Sequence, residues 1–467
     1  MCGKGRHSTM QSDSYFKALL RENRRTLFLA LPIVAGLVGQ MLMGIADTVM
    51  LGHVGVVPLA ASAFANTVLM VPMVFGFGLL SAVSVSASHA HGARSSHLSG
   101  ESLRGGILLA LMMGLVVGVS AHAGLPFLHL LGQPHEVNET VGVYFLLCAW
   151  SLLPLLVSGA AKNFCEALGR PWVPFWILMA GVLLNVFLNW ILIYGNLGSP
   201  AMGIDGAGIA TLLSRIAVMC GILVYPSFER SLKLACPLAW LAPGLFGQAW
   251  HLLKIGIHTA GLNLCEVTGF SFGSLMMGWL GVVPLAAHQI ALSVAATTFM
   301  VPLGLAQAVS VRVGHARGAR RAKRIPRIVH SALGLTAGVM AFFAAGYFLL
   351  GNEIAAGFTP DVAVRALTVQ LLVLAGVFQI FDGIQVVSSG ALRGFADTKV
   401  PFLVGIVSYW VVALPVSWVA AFHFGFGAPG IWVGFVVGLG VAAVSMSTRL
   451  LRKCNRLNVS PSAHQEG

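Results

Sequence analysis

The chain has 467 residues, of which 57% are hydrophobic and only 9% are charged, and its mean hydropathy is +0.85. A soluble globular protein has too little interior to bury such a composition, so the composition excludes that class and predicts a polytopic membrane protein. The formal net charge of +13 would suit a nucleic-acid-binding protein, but the positions of the basic residues argue against nucleic acid as a partner.

Apolar runs of about 20 residues, each able to cross roughly 30 Å of hydrocarbon, predict the transmembrane helices. Twelve runs begin near residues 27, 60, 103, 141, 173, 205, 251, 284, 329, 367, 400 and 428. Backbone polar groups in lipid must be satisfied within the chain, and barrel strands would be shorter and would alternate. We therefore expect an all-α fold of twelve helices, with cytoplasmic segments at residues 1–26 and 451–467.

The basic residues sort to one side of the predicted membrane. Of 28 Lys and Arg, 25 lie in the two terminal segments and in the even-numbered connections between helices. The positive-inside rule then places both termini of a multi-pass protein in the cytoplasm. The basic cluster from Arg312 to Arg324 lies between two apolar runs. We therefore interpret it as a topology signal for insertion into the lipid bilayer; the alternative is a patch that binds nucleic acid or anionic lipid.

Two internal repeats occur at the same offset. G-V-V-P-L-A-A at Gly55–Ala61 recurs at Gly281–Ala287, and Ala82–Arg94 matches Ala308–Arg320 at nine of thirteen positions. The sequence therefore predicts two parallel, pseudosymmetric six-helix bundles around a central cavity. Their predicted bounds are 27–226 and 249–450, with a cytoplasmic linker at 227–248.

Three acidic residues lie deep within predicted helices, each as the only formal charge of its apolar run. They are Asp47 in helix 1, Glu266 in helix 7 and Asp382 in helix 10. An ionised carboxylate at mid-membrane costs about 2.5–3.5 kcal/mol, so each needs a partner, a proton or an ion. The structural alternative is a protonated carboxyl that bonds a neighbouring helix.

Polar side chains accompany these carboxylates. Gln379 and Gln385 lie three residues on either side of Asp382, and Asn185 and Asn189 are spaced i, i+4 on helix 5. Their oxygens suit a hard cation such as Na⁺, while desolvated carboxyls suit proton carriage, and the sequence alone does not separate the two. Interhelical packing is the alternative for the asparagine pair. Pro32, fifteen residues before Asp47 in helix 1, is a candidate hinge because proline removes a helical hydrogen bond.

Five motifs together resemble one family, the multidrug and toxic compound extrusion (MATE) transporters, in particular the bacterial NorM-type branch. The resemblance covers about Leu27 to Arg449. The motifs are M-G-I-A-D-T-V-M-L-G at Met43–Gly52, L-N-V-F-L-N-W-I-L-I-Y-G at Leu184–Gly195, N-L-C-E-V-T at Asn263–Thr268, A-A-H-Q-I-A-L at Ala286–Leu292, and F-Q-I-F-D-G-I-Q-V-V-S-S-G-A-L-R-G at Phe378–Gly394.

The resemblance implies cation-coupled antiport of organic cations from the cytoplasm to the exterior. It implies coupling-ion binding at Glu266 and Asp382, which are Na⁺ candidates, and at Asn185 and Asn189. It further implies proton or drug exchange at Asp47, a bend of helix 1 at Pro32, and contact of Asp361 with cationic drugs. Some sodium-coupled members carry a tyrosine one turn before the helix-10 aspartate. Phe378 stands there instead, which weakens the case for sodium.

The predicted function is secondary active multidrug efflux, which would confer antibiotic resistance, with Na⁺ or H⁺ as coupling ion. Its partners would be small cationic lipophilic drugs; we expect no cofactor, no enzymatic activity and a monomer. Gln379 and Gln385 are assigned to substrate or proton exchange beside Asp382. The alternative is a lipid-linked oligosaccharide flippase, whose polyanionic substrate would require a basic cavity. An intramembrane enzyme is disfavoured because no complete catalytic motif is present.

Overall fold

The computed structural model describes residues 4–229, 232 and 244–459, and it describes side chains from Lys17 to Leu457 within those ranges. Most of the predicted linker at 227–248, the first three residues and the last eight residues of the predicted tail lie outside the described residues. The described residues fold into helices, with no strand among them. The prediction of an all-α fold is therefore confirmed.

Twelve long helical elements follow one another along the described chain. They are α1 (Lys4–Gly52), α2 (Val56–Gly92), α3 (Ser96–Gly124), α4 (His135–Ala167), α5 (Trp172–Leu192), α6 (Gly203–Phe228), α7 (Leu245–Leu280), α8 (Val282–Gly318), α9 (Ile325–Phe358), α10 (Val362–Gly394), α11 (Lys399–His423) and α12 (Ala428–Val459). Each predicted apolar run lies within one of these helices. Short 3₁₀ turns at Leu125–Leu131, Asn196–Gly198 and Ala322–Arg324 lie in three of the connections.

Eleven of these twelve helices are long and apolar enough to cross a membrane. The exception is α7, which has 36 residues and therefore sufficient length. Its middle carries Asn263, Glu266 and several hydroxyl side chains, and these lower its hydropathy. The helix that looks least like a span is thus one that carries a predicted site residue. α1 also begins earlier than its apolar run, because the polar residues before Leu27 continue the same helix.

Local sequence explains how several helices begin and end. Ser95 caps α3 by accepting a hydrogen bond from Leu98 N at 3.4 Å, and Asp361 caps α10 by accepting from Val364 N at 2.9 Å. The last turns of α2, α4, α8 and α10 each close with a residue of positive φ, namely Arg94, Gly169, Arg320 and Ala396. Such left-handed caps satisfy carbonyl groups that the ending helix would otherwise leave free.

Contacts between Cα atoms divide the chain into two compact units. One unit combines the chain up to Val34 with the part from Leu262 onward, and the other comprises Ala35–Gly261. The boundaries fall inside α1 and α7, whereas the predicted lobes begin at residues 27 and 249. Each unit has its own apolar core, built around residues such as Leu80, Leu156 and Phe164 in the Ala35–Gly261 unit and Trp432, Phe435 and Leu371 in the other.

The helix α11 departs from regular α geometry. It is α-helical at Lys399–Gly405 and Leu414–Trp418, and π-helical at Ile406–Ala413 and Val419–His423. Pro415 stands at the start of the central α-helical segment, where its missing N–H leaves one carbonyl of the preceding turn without its usual donor. The π turns therefore flank a proline that already interrupts the helical hydrogen bonds, and π turns of this kind are frequent at functional sites.

Candidate functional site

A chain of hydrogen bonds joins α1, α5 and α6 in the Ala35–Gly261 unit. Asn189 Nδ2 donates to Asp47 Oδ1 at 2.5 Å and to Asn185 Oδ1 at 3.2 Å. Asn185 Nδ2 in turn donates to Thr211 Oγ1 at 3.5 Å. The i, i+4 spacing places both asparagines on one helix face, and both are fully buried. Asp47 is half-buried. Because its carboxylate accepts the hydrogen bond from Asn189, the helix that carries the asparagine pair orients it.

An arginine within the spanning part of α6 lies in electrostatic range of Asp47. Arg215 Nη1 donates to Ser151 Oγ of α4 at 2.7 Å, and its positive charge acts on Asp47, Tyr144 and Cys148. Residues 144, 148 and 151 share one face of α4. This face packs on α6, where a Cβ added at Gly208 would come within 3.3 Å of the Tyr144 ring. Arg215 and Asp47 form no direct ion pair; each is held by a different neutral side chain.

Neither Arg215 nor Thr211 was predicted as a site residue from the sequence. The available signal was an arginine alone in the apolar segment of α6, because a mid-span cation is as costly as a mid-span carboxylate. Thr211 lies four residues before Arg215 on α6. It gives no signal of its own in the sequence, since threonine is common in spanning helices.

The second cluster lies in the other unit and contains two carboxylates. Glu266 of α7 is half-buried and Asp382 of α10 is buried, and their charges interact with each other and with the phenol of Tyr409 on α11. Neither carboxylate forms a salt bridge with a described residue. This cluster therefore differs from the first, where a positive charge lies within range of the carboxylate.

Several buried polar atoms of this unit have no hydrogen-bond partner among the described residues. They are Asp382 Oδ1, Gln379 Oε1, Gln385 Oε1, Ser408 Oγ, Tyr409 Oη, His288 Nδ1 and Trp432 Nε1. A buried polar group without a partner costs about 1–3 kcal/mol. Five of these seven atoms belong to α10 and α11, so these two helices carry polar groups that the described side chains do not satisfy.

Gln379 is held more firmly than Gln385. Its Nε2 donates to the Ala295 carbonyl of α8 at 2.7 Å and to Thr298 Oγ1 at 3.0 Å. Thr298 is also hydrogen-bonded to the Tyr347 hydroxyl of α9 at 2.5 Å. Gln379 therefore ties α10 to α8 and, through Thr298, to α9, one turn before Asp382.

Aromatic rings pack beside the two carboxylates. The Phe270 ring contacts Phe378 and Tyr409 with centroids 5.8 and 6.0 Å apart, and Trp432 packs edge-on against Phe378 at 5.6 Å. Phe378 lies one turn before Asp382, and Phe270 lies four residues after Glu266. This spacing places the two phenylalanine rings on the same helix faces as the two carboxylates.

The predicted site residues thus fall into separate groups. Asn185 and Asn189 were expected to act with Glu266 and Asp382, but they bond Asp47 and belong to the other unit. Asp361 is exposed at the start of α10, about 30 Å along the helix axis from Asp382. Pro32 is buried within α1, two residues before the point where that helix passes from one unit to the other.

Comparison with known proteins supplies independent information. The sequence profile of the MatE family matches two segments, residues 32–191 and 259–419. A probable multidrug resistance protein NorM of Mesorhizobium japonicum is 36% identical over 93% of this chain and 94% of its own length. A protein of the same name from Bradyrhizobium diazoefficiens is 35% identical over 97% of this chain and 98% of its own length.

Solved structures show the same fold. The outward-facing conformation of a multidrug resistance MATE family transporter of the MOP superfamily superposes with a TM-score of 0.86 at 20% identity, covering 95% of this chain and 98% of that chain. The Vibrio cholerae MATE transporter VcmN in its bent form gives a TM-score of 0.82 at 22% identity, covering 95% of this chain and 99% of that chain.

Proposed function

The chain belongs to the MatE family, and on that basis we propose that it is a secondary active multidrug efflux transporter that exchanges organic cations for Na⁺ or H⁺ by alternating access. The family resemblance of the motifs is confirmed by these matches. The names of the NorM relatives support multidrug transport. Eleven apolar helices among the described residues support a multi-pass protein of the bacterial inner membrane, and the basic residues support cytoplasmic termini.

We further propose that two parallel repeats carry out the alternating access. The MatE profile matches each half of the chain once. Corresponding turns of the two halves also share backbone geometry. Gly55 and Gly281 both have positive φ, and so do Arg94 and Arg320. The members of each pair are 226 residues apart. An arginine in left-handed conformation is uncommon, so its recurrence at equivalent positions supports a duplicated design. Pro32 is the proposed hinge in α1.

The observation that carries the proposal is that each unit contains carboxylates within its spanning helices. In the proposed cycle, Asp47 and the Glu266–Asp382 pair must be neutralised before the carrier reorients. A cationic drug or a coupling ion can supply the positive charge, but both together would leave an excess. Competition for the same negative charge then produces antiport, since outside ions displace the drug outward and the drug displaces ions inward.

Specific residues take specific roles in this proposal. Glu266 and Asp382 bind the coupling ion. Asn185 and Asn189, which we also assign to ion or proton binding, act around Asp47 because they bond its carboxylate. Gln379 and Gln385 assist exchange beside Asp382, and exposed Asp361 contacts cationic drugs while it caps α10.

The driving force sets a condition on the stoichiometry. The membrane potential favours entry of a lone cation by about 2.3 kcal/mol per charge for each 100 mV. With one coupling charge per monovalent drug the two contributions of the potential cancel, and the ion concentration gradient must drive export. With more than one coupling charge per cycle, the potential itself also drives export. Either Na⁺ or H⁺ satisfies the condition.

The test is efflux of a fluorescent cationic dye from inverted vesicles, with Na⁺ and pH gradients imposed separately. We expect at least one gradient to drive dye movement in the wild type. Asp382→Asn should abolish the ion-driven component, and Glu266→Gln should change which gradient is effective. Full ion-driven efflux by Asp382→Asn, at equal expression, would remove the proposed role of the carboxylate pair.

A further inference from the structure

We propose that Arg24 of α1 and Arg327 of α9 bind the phosphate of an anionic phospholipid, whose acyl chains lie along the groove between these two helices. The inference goes beyond the proposed transport function, because it concerns a lipid and uses neither carboxylate cluster. At this point both helices belong to the unit that combines the chain up to Val34 with the part from Leu262 onward.

Hydrogen bonds place the start of α1 against the start of α9. Ser331 Oγ of α9 donates to Asn23 Oδ1 of α1. Arg324, the residue before α9 begins, donates from Nε to Glu22 Oε1 at 3.1 Å. Asn23 and Ser331 therefore mark the line of contact between the two helices.

Arg24 and Arg327 lie next to this contact. Arg24 directly follows Asn23, and Arg327 lies one turn before Ser331 on the same face of α9. Both arginines are exposed, and neither forms an ion pair or a hydrogen bond with a described residue. The groove between α1 and α9 is therefore bordered at this level by one exposed guanidinium group on each helix.

The charges around the two arginines favour an anionic ligand. Residues 17–31 and 320–334 contain nine Lys and Arg but only one acid, Glu22. The Glu22 carboxylate already pairs with three other arginines. The positive charges of Arg24 and Arg327 thus remain unneutralised within these segments and attract an anion.

The groove becomes apolar directly below the arginines, since the apolar run of α1 begins near residue 27. Leu27 follows Arg24 by three residues and Asn23 by four, so it borders the same groove. Leu31 lies one turn further along α1, and the two leucines are 36% and 56% exposed. On α9, Gly338 lies two turns beyond the contact with α1 on the same face, and a Cβ added there would meet no atom within 4 Å. The groove is thus open and apolar over about 10 Å below Arg24, which suits an acyl chain.

The combination of a charged part and an apolar part selects the ligand. Guanidinium groups bind phosphate oxygens through paired N–H donors, and basic segments at the cytoplasmic surface attract anionic lipids. A soluble anion or a nucleic acid would use the arginines but leave the apolar part of the groove uncovered. A zwitterionic phospholipid would bring a positive headgroup into a basic region. An anionic phospholipid such as phosphatidylglycerol fits both parts.

The experiment is native mass spectrometry of the purified full-length protein, titrated with phosphatidylglycerol or with phosphatidylcholine of the same acyl chains. We expect the wild type to bind phosphatidylglycerol more tightly. Arg24→Gln combined with Arg327→Gln should weaken phosphatidylglycerol binding about thirtyfold, the effect of losing two basic contacts at a membrane surface. The matched control is Arg452→Gln combined with Arg456→Gln. This control removes the same charge from two exposed arginines of α12, and it should leave the affinity unchanged.

Each other outcome overturns the inference for a stated reason. Wild-type affinity in the Arg24→Gln, Arg327→Gln variant would mean that the lipid does not contact these residues. An equal loss in the α12 control would mean that general surface charge explains the binding, and equal wild-type affinity for the two lipids would remove the requirement for an anionic headgroup. Displacement of phosphatidylglycerol by inorganic phosphate alone would assign the arginines to a soluble anion. If the double variant fails to fold, Arg327→Gln alone decides: a loss of about fivefold supports the site, and an unchanged affinity refutes it.

Discussion

Replacing Glu22 by alanine tests an anchor that holds the start of α1 to α8. The Glu22 carboxylate pairs with Arg312 and also with Arg324, whose Nε lies 3.1 Å from Oε1. Arg312 Nη1 also donates to the Glu22 carbonyl at 2.8 Å and bonds the Thr26 hydroxyl. The side chains of Glu22 and Arg312 are only 10% and 5% exposed. Glu22→Ala would leave the Arg312 charge buried without its partner, which costs about 3–5 kcal/mol.

The assay is thermal unfolding of the purified full-length protein in detergent. For a unit of this size, such a loss should lower the midpoint by on the order of 10 °C. The matched control is Arg25→Ala, because Arg25 also pairs with Glu22, at 3.5 Å, but its side chain is 61% exposed. Its removal should cost at most about 1 kcal/mol. Equal shifts for the two variants would refute the reasoning that burial makes the Glu22 anchor strong.

Two further predictions concern the connection after α10 and the proposed hinge. Asp397 Oδ2 lies 2.8 Å from Arg449 Nε and 2.6 Å from Lys453 Nζ. Burial alone would raise the pKa of Asp397, but these two positive partners outweigh burial and hold the pKa below its ordinary value. This stabilisation is full above the ordinary carboxyl pKa of about 4 and is lost as the pH falls through the lower folded-state pKa. Asp397→Asn should therefore lower the thermal unfolding midpoint at pH 7, and in strong acid the midpoints of the variant and the wild type should become equal. A difference that stays constant with pH would contradict this assignment. Pro32→Ala should slow dye efflux while leaving Na⁺ and drug affinities unchanged, and unaltered efflux kinetics would remove the hinge.

The spanning helices could be predicted from the sequence because hydropathy is a local property. Each apolar run lies in one helix, and the spacing of Asn185 and Asn189 correctly predicts a shared face. The start of α1 could not be found in this way, since hydropathy reports the apolar part of a helix only. The polar part of α1 is held by Glu22, and its partner Arg312 is 290 residues away in the sequence.

The composition of the two clusters depends on contacts between helices and on helical register. Nothing in the sequence of α5 indicates that Asn189 bonds Asp47 of α1 and not an acid of α7 or α10. Tyr409 was missed for a different reason. Sequence reasoning assumes 3.6 residues per turn, and the π segment of α11 changes the direction in which its side chains project. Pro415 was the one local indication of irregular geometry in that helix.

The two clusters also differ in their balance of charge, and in the proposed cycle this difference gives them different tasks. Asp47 lies in electrostatic range of Arg215, Tyr144 and Cys148, so when it is ionised its charge is opposed by that of Arg215. Glu266 and Asp382 form no ion pair with a described residue and require a cation or protons whenever they are shielded from water. Drug exchange therefore suits the Asp47 site, and the coupling ion suits the carboxylate pair.

Arg215→Met tests this division, because it removes the opposing charge without removing the carboxylate. Without the opposing charge, the Asp47 carboxylate attracts a cationic dye more strongly, so the dye concentration that gives half-maximal efflux should fall about tenfold, which corresponds to about 1.4 kcal/mol of added attraction. Arg215→Lys keeps the charge and should retain the wild-type concentration. The shift should disappear when Asp47→Asn is combined with Arg215→Met, because no carboxylate remains for the arginine to influence. A half-maximal concentration that is the same in Arg215→Met and in the wild type would mean that the charge of Arg215 does not reach Asp47 during transport.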